Sequence, residues 1–224
     1  MKTFAFIDAA SLFYGGVKSL GWKIDYQKLF VYLQRKYNVE KILYFGGVEI
    51  YNFSYNYLEN EVVPVEDLRR HLTSLLKLEN SRFSDTRILL LERHLNRVNF
   101  YRKLKEFGYE LYLKPVKSYP DDEGNIKRKA NCDVDMAFYL MKEKDNFGRV
   151  VILSGDGDFL PVLKHLREND KEVIVLARAK RTAREIKQFA GGKFRDFIKL
   201  EKDINFTEKQ NGTDIRNIRP TFSS

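Results

Sequence analysis

Cysteine occurs once in the 224 residues, at Cys132, which excludes an intramolecular disulfide and any cysteine-rich zinc site. A reducing compartment, the cytoplasm, follows as the expectation. Histidine is almost as scarce, and His71, His94 and His165 share no ligand spacing, so they read as ordinary core or surface residues. No apolar stretch approaches the roughly 20 residues that cross a bilayer, and Asp8 cuts short the apolar run behind Lys2 that superficially mimics a leader. Membrane insertion is not expected. There is no internal repeat. Acid is also in deficit: 31 Asp and Glu stand against 40 Lys and Arg, a net charge of +9, which favours an anionic partner.

What is present is an alternation of short apolar runs and helical periodicities. TFAFI reads as a buried parallel strand closed by Asp8. Asp25 caps a stretch with Leu29, Phe30, Leu33 and Tyr37 at helical spacing, and KILYFGG returns as a strand. YELYLKPV, VVILS and EVIVLA supply three further strands, and FRDFIKL a short last one, with helices predicted over DVDMAFYLM, PVLKHLREN and TAREIKQFA. This order implies a mostly parallel sheet covered on both faces, an α/β/α sandwich, whose ligands bind beyond the carboxyl ends of the strands. We expect one domain over residues 1–200, elaborated by an insertion at about 51–98, and a polar tail at 201–224.

The acids fall at strand exits. Asp8 ends the first strand, Asp156 and Asp158 follow VVILS, and Asp133 and Asp135 open the helical stretch before it. The first strand and VVILS lie side by side at a topological switch point in such folds, so Asp8 and Asp156 should converge. Gly155 and Gly157 would let SGDGDF bend tightly, with Asp158 either capping the next helix or joining the cluster. In DVDMAFYLM, a buried stripe of Val134, Ala137, Phe138 and Met141 would put Asp133 at its border, beside Ala137 and Leu140, and Asp135 further round, above Tyr139. Asp133 is the better ligand candidate, and Asp135 joins if the helix starts later. Ser11 and Ser154 could add hydroxyl hydrogen bonds to the carboxylates, against the plainer reading of turn or cap residues.

Carboxylates gathered at one edge repel unless a cation sits among them. With oxygen donors and no paired His or Cys, that cation would be Mg²⁺ or Mn²⁺. It would lower the pKa of a bound water for attack on a phosphate ester.

Three ordered blocks, FIDAASLFYG, Lys129 through Met141, and Ser154 through Phe159, resemble the NYN-domain branch of the PIN-like nucleases, near its LabA-like group. The resemblance implies a PIN-like sheet and a metal-dependent endoribonuclease site carried by Asp8, Asp133, Asp156 and Asp158. The preference for RNA comes from it; the residues themselves do not exclude DNA. Ala10 stands where the family often has Asn, and Tyr139 where it often has another acid. A second reading therefore stays open, an RNA-binding or scaffold module of the same fold with weak or no catalysis. A phosphatase that forms an aspartyl intermediate is a poor third, because its second acid would fall at Ala10.

Lys127, Arg128 and Lys129 precede the acid-bearing helix, and Arg178, Lys180, Arg181 and Arg184 follow EVIVLA at the same predicted edge. Both groups are candidates for phosphate contacts, against the plainer reading of a solvated face. Tyr51, Phe53, Tyr55 and Tyr57 alternate with polar residues, as one face of a buried strand or as rings that stack bases. A homo-oligomer is compatible with the sequence.

Overall fold

The computed structural model describes residues 1–12, 20–56, 58–79, 84–120 and 126–207. In chain order these form β1 (Thr3–Asp8), α1 (Ala9–Leu12), α2 (Tyr26–Tyr37), β2 (Val39–Val48), α3 (Val65–Glu79), α4 (Asp85–Phe107), β3 (Glu110–Pro115), β4 (Lys117–Pro120) and β5 (Ile126–Lys129). Then come α5 (Asp133–Lys142), β6 (Arg149–Leu153), α6 (Leu160–Glu168), β7 (Glu172–Ala177), α7 (Arg184–Ala190), β8 (Phe194–Asp196) and α8 (Glu201–Ile204). Six strands make a parallel sheet in the order β3-β2-β1-β6-β7-β8 with helices on both faces, and β4 and β5 form a separate antiparallel pair. None of the described helices is long and apolar enough to cross a membrane.

The described chain divides into two compact units. One holds residues 1–45, 107–110 and 132–207. Its centre is β1, all six residues of which are buried, as a parallel strand covered on both faces requires. β1 pairs with β2 on one side, Phe6 opposite Leu43, and with β6 on the other, Ile7 opposite Leu153. Phe6 stacks on Phe45 at 6.0 Å and meets Phe147 at 6.1 Å.

The amide of Lys28 donates to the Asp25 carboxylate at 3.0 Å to start α2, Asn38 closes the helix in the left-handed conformation, and Leu29, Leu33 and Tyr37 are buried. Residues 201–207, which sequence reading puts in the tail, are tied to this helix: Ile204 is fully buried, its carbonyl accepts from the Asp25 amide, and Asn205 bridges to Ile24. The remainder of that tail lies outside the described residues.

Helix α5 turns the other way from its predicted stripe. Met136, Tyr139 and Leu140 are buried, whereas Val134 and Phe138 are exposed. Both sets have helical spacing because the segment is apolar nearly all round, and periodicity alone cannot choose between them. The choice is made by Tyr139, whose ring packs 5.9 Å from Phe45.

The second unit holds residues 46–106 and 111–131 among those described. Its α4 is a single helix of 23 residues that runs past the expected end of the insertion at about 98. Arg97 and Tyr101 on α4 both donate to the carbonyl of Gly47, at 3.2 and 2.6 Å. The aromatic run at 51–56 is not a strand. Phe53 donates its amide to the Ile50 carbonyl in a turn, Tyr51 accepts from Arg87 at 2.7 Å, and the Phe53 ring lies 5.5 Å from His71. These half-buried rings serve packing; Tyr57 lies outside the described residues.

Candidate active site at the carboxyl end of the sheet

Asp8 is the last residue of β1 and is only 6% exposed. Its Oδ1 accepts the Ala10 amide at 2.9 Å and its Oδ2 accepts the Ser154 hydroxyl at 3.1 Å. The pairing of β1 with β6 produces this meeting, since Ile7 is opposite Leu153 and the next residues are Asp8 and Ser154. Ser11 Oγ lies 3.1 Å from Ser154 Oγ. Burial pushes the Asp8 carboxyl above its ordinary value, against opposing hydrogen bonds from Ser11, Ser154 and Ala10. Among the described residues no Lys or Arg forms an ion pair with it.

Ser154 links the two strand exits. Besides donating to Asp8, it accepts the Asp156 amide at 3.2 Å. Asp156 is half-exposed, and its Oδ1 accepts the Asp158 amide at 3.0 Å, capping the short turn Gly157–Phe159. The capping role expected of Asp158 thus belongs to Asp156, and Asp158 is exposed. Asp133 is the first residue of α5 and half-buried, as is Asp135 two residues on. That helix packs on β1, on α6 and on the Gly157–Phe159 turn that follows Asp156.

The two glycines of the turn are there for room, not for backbone freedom, since neither has a positive φ. A Cβ at Gly155 would lie 2.7 Å from Thr182 Oγ1 and 2.9 Å from Thr182 Cα. The Ala183 amide donates to the Gly155 carbonyl at 2.9 Å. The segment after β7 is therefore docked on the acidic turn.

Residues 2–199 match the profile of the NYN domain. The chain belongs to the NYN family. Over 112 residues it is 25% identical to the low amplitude and bright protein LabA of Synechococcus elongatus, an alignment covering 49% of this chain and 60% of LabA. Its fold is similar to that of a Vibrio parahaemolyticus protein of unknown function, at a TM-score of 0.57 and 16% identity, covering 92% of this chain and 96% of the other. The sheet order and helical layers are those of an α/β/α sandwich.

In this NYN domain the basic candidates separate. Arg178 is 7% exposed and bound to Asp196 at 3.1 Å, so it supports the fold. Lys180, Arg181 and Arg184 are exposed on the docked segment beside the acidic turn. Lys127, Arg128 and Lys129 lie on β5 in the second unit, where only their backbone is described.

Glu185 is the acid that sequence reading missed. In the first turn of α7, its carboxylate lies against Gly157, between Asp156 and Asp158 in sequence. In the sequence it counts only as a counter-charge within a basic run, because its closeness to the turn depends on the β6–β7 pairing.

The donors at this edge are all oxygen, the chemistry of a hard divalent ion rather than zinc. Asp8 is the group such an ion would suit, a desolvated carboxylate with hydroxyl and amide partners. Among the described residues, however, no three Asp, Glu, His or Cys side chains form a group that could hold an ion. Asp8 and Asp156 share Ser154, while Asp133 and Asp158 do not close a ligand set with them.

Proposed function

We propose that this NYN domain is a metal-dependent endoribonuclease, with Mg²⁺ or Mn²⁺ as its cofactor and single-stranded or structured RNA as its substrate. The observation that carries the reading is Ser154 donating to Asp8 while accepting the Asp156 amide, which ties two acids to the edge where parallel sheets bind ligands. Asp8 and Asp156 would hold the ion, and Asp133 and Asp158 would have to shift toward them to complete its shell. The bound ion supplies a water of lowered pKa and a counter-charge for the phosphate oxygen. Ser154 and Ser11 orient Asp8, while Lys180, Arg181 and Arg184 draw the strand to the edge through its phosphates. A reducing compartment, the cytoplasm, fits the single buried Cys132.

A second reading, an RNA-binding or scaffold module with little catalysis, is favoured by one specific observation. Tyr139, at the position where the family often has an acid, is turned into the core against Phe45 and offers no carboxylate. Incubating the purified chain with RNA and DNA oligonucleotides in EDTA, Mg²⁺ and Mn²⁺ separates the two. Cleavage that needs a divalent ion and disappears in Asp8→Asn and Asp156→Asn supports the nuclease. Binding without cleavage in every lane supports the module.

A further inference from the structure

We propose that Phe138 and Lys142, on the outward face of α5, form a stacking platform for an unpaired base of the nucleic-acid strand held at the acid edge. Phe138 is 56% exposed and Val134, one turn earlier, 70% exposed. Fully burying such side chains is favourable, so this pair is an apolar patch left open on the helix surface.

The ring is held rather than loose. It meets Tyr139 edge-on, with centroids 5.3 Å apart and planes at 86°, and Tyr139 is itself fixed against Phe45. Lys142 places its ammonium 5.7 Å from the Phe138 centroid and 4.9 Å from that of Tyr139. A cation beside an exposed ring is the pairing that single-strand binding surfaces use, the ring stacking a base and the cation meeting its phosphate.

Position adds to composition. Asp133 opens the helix and Phe138 follows five residues on, about 7.5 Å along the axis. Those five residues also turn the helix by about 140°, so the strand would pass from the acid edge across the outward face of α5 to reach the ring. A paired base has its face covered by neighbours, which limits the platform to unpaired strands. Charge selects the occupant: the chain is strongly cationic, and the cation at this face lies over the ring itself.

The inference rests on the proposed nuclease reading for its placement of the strand, and its test does not need cleavage. In EDTA, binding of a short single-stranded RNA to Phe138→Ala should weaken about ten-fold, while binding of the corresponding blunt duplex changes less than about two-fold. Phe138→Trp and Phe138→Tyr should retain single-strand binding and Phe138→Leu should not, which separates stacking from mere apolar contact. Lys142→Ala should lower the salt dependence of binding by about one unit of slope. Unchanged binding by a folded Phe138→Ala would overturn the platform. So would a Phe138→Ala variant that turns a dimer into a monomer with unaltered RNA affinity, which would assign the face to a second copy of the chain. Binding that depends on Phe138 without cleavage would sink the nuclease alone; cleavage and binding indifferent to Phe138 would sink the platform alone.

Discussion

Ser154 donates its hydroxyl to Asp8 at 3.1 Å across 146 positions of sequence, and the same oxygen accepts the amide of Asp156. Removing it leaves a buried carboxylate and a backbone amide each short of a partner. Ser154→Ala should cost about 1–3 kcal/mol of stability and about 10- to 100-fold in divalent-dependent activity or metal affinity. Thermal melts and metal titrations check both numbers. An activity equal to the parent's would remove Ser154 from the site.

The Asp8 carboxyl lies above its ordinary value of 3.8 because of burial, so the folded chain takes up a proton there more readily than the unfolded one. Its contribution to stability is full at low pH and is lost as pH rises through the folded-state value. Asp8→Asn, which has no charge to desolvate, should therefore melt higher than the parent at pH 8 in EDTA. The advantage should vanish below about pH 4. Added Mg²⁺ should raise the melting temperature of the parent and not of the variant. A variant that melts lower throughout would show that the hydrogen bonds outweigh the burial.

Gly155 and Gly157 should differ in their tolerance of a methyl group. At Gly155 the obstacle is Thr182, including its backbone, so Gly155→Ala should destabilise by about 1–3 kcal/mol. That corresponds to a fall of about 2–4 °C in melting temperature per kcal/mol for a chain of this size. At Gly157 the obstacle is the movable end of Glu185, and Gly157→Ala should cost less. The reverse order in melting experiments would contradict the docking of the segment after β7.

Asp196 binds Arg178 at 3.1 Å and accepts the amides of Ala179 and Ile198. Asp196→Ala would remove the carboxylate paired with a buried guanidinium, at a cost of about 3–5 kcal/mol. Arg181→Ala, on the exposed surface, should leave the melting temperature within about 1 °C, consistent with the small effects of surface substitutions. It should weaken RNA binding uniformly across sequences while reducing the salt slope by about one. Denaturation curves and binding at several salt concentrations distinguish the two arginines.

The sheet was legible because buried parallel strands are written as unbroken apolar runs: TFAFI, VVILS and EVIVLA are each strands, and each ends where an acid or a turn begins. Strand order also put Asp8 beside the exit of VVILS, though the partner it meets there is the Ser154 hydroxyl rather than the Asp156 carboxylate. The face of α5 was not legible, because Val134 and Phe138 mimic a core stripe while Met136, Tyr139 and Leu140 form the real one. Nor was the turn at 51–56, where alternation of rings arises from packing between irregular backbone and helices rather than from a pleat. Asp156 and Asp158 are two residues apart in a turn, and which of them caps was decided by local dihedral angles. Glu185 was invisible for a different reason: its neighbour in space is Gly157, 28 positions earlier in the numbering.

The pairing of β1 with β6 also has a bearing on synthesis. During synthesis Asp8 is made well before the strand that brings Ser154 to it, which ends at Leu153. Until the ribosome has extruded that later strand, the Asp8 carboxylate lacks the Ser154 hydroxyl and the link between the two strand exits cannot form. A half-made chain is thereby kept from assembling the proposed nuclease site.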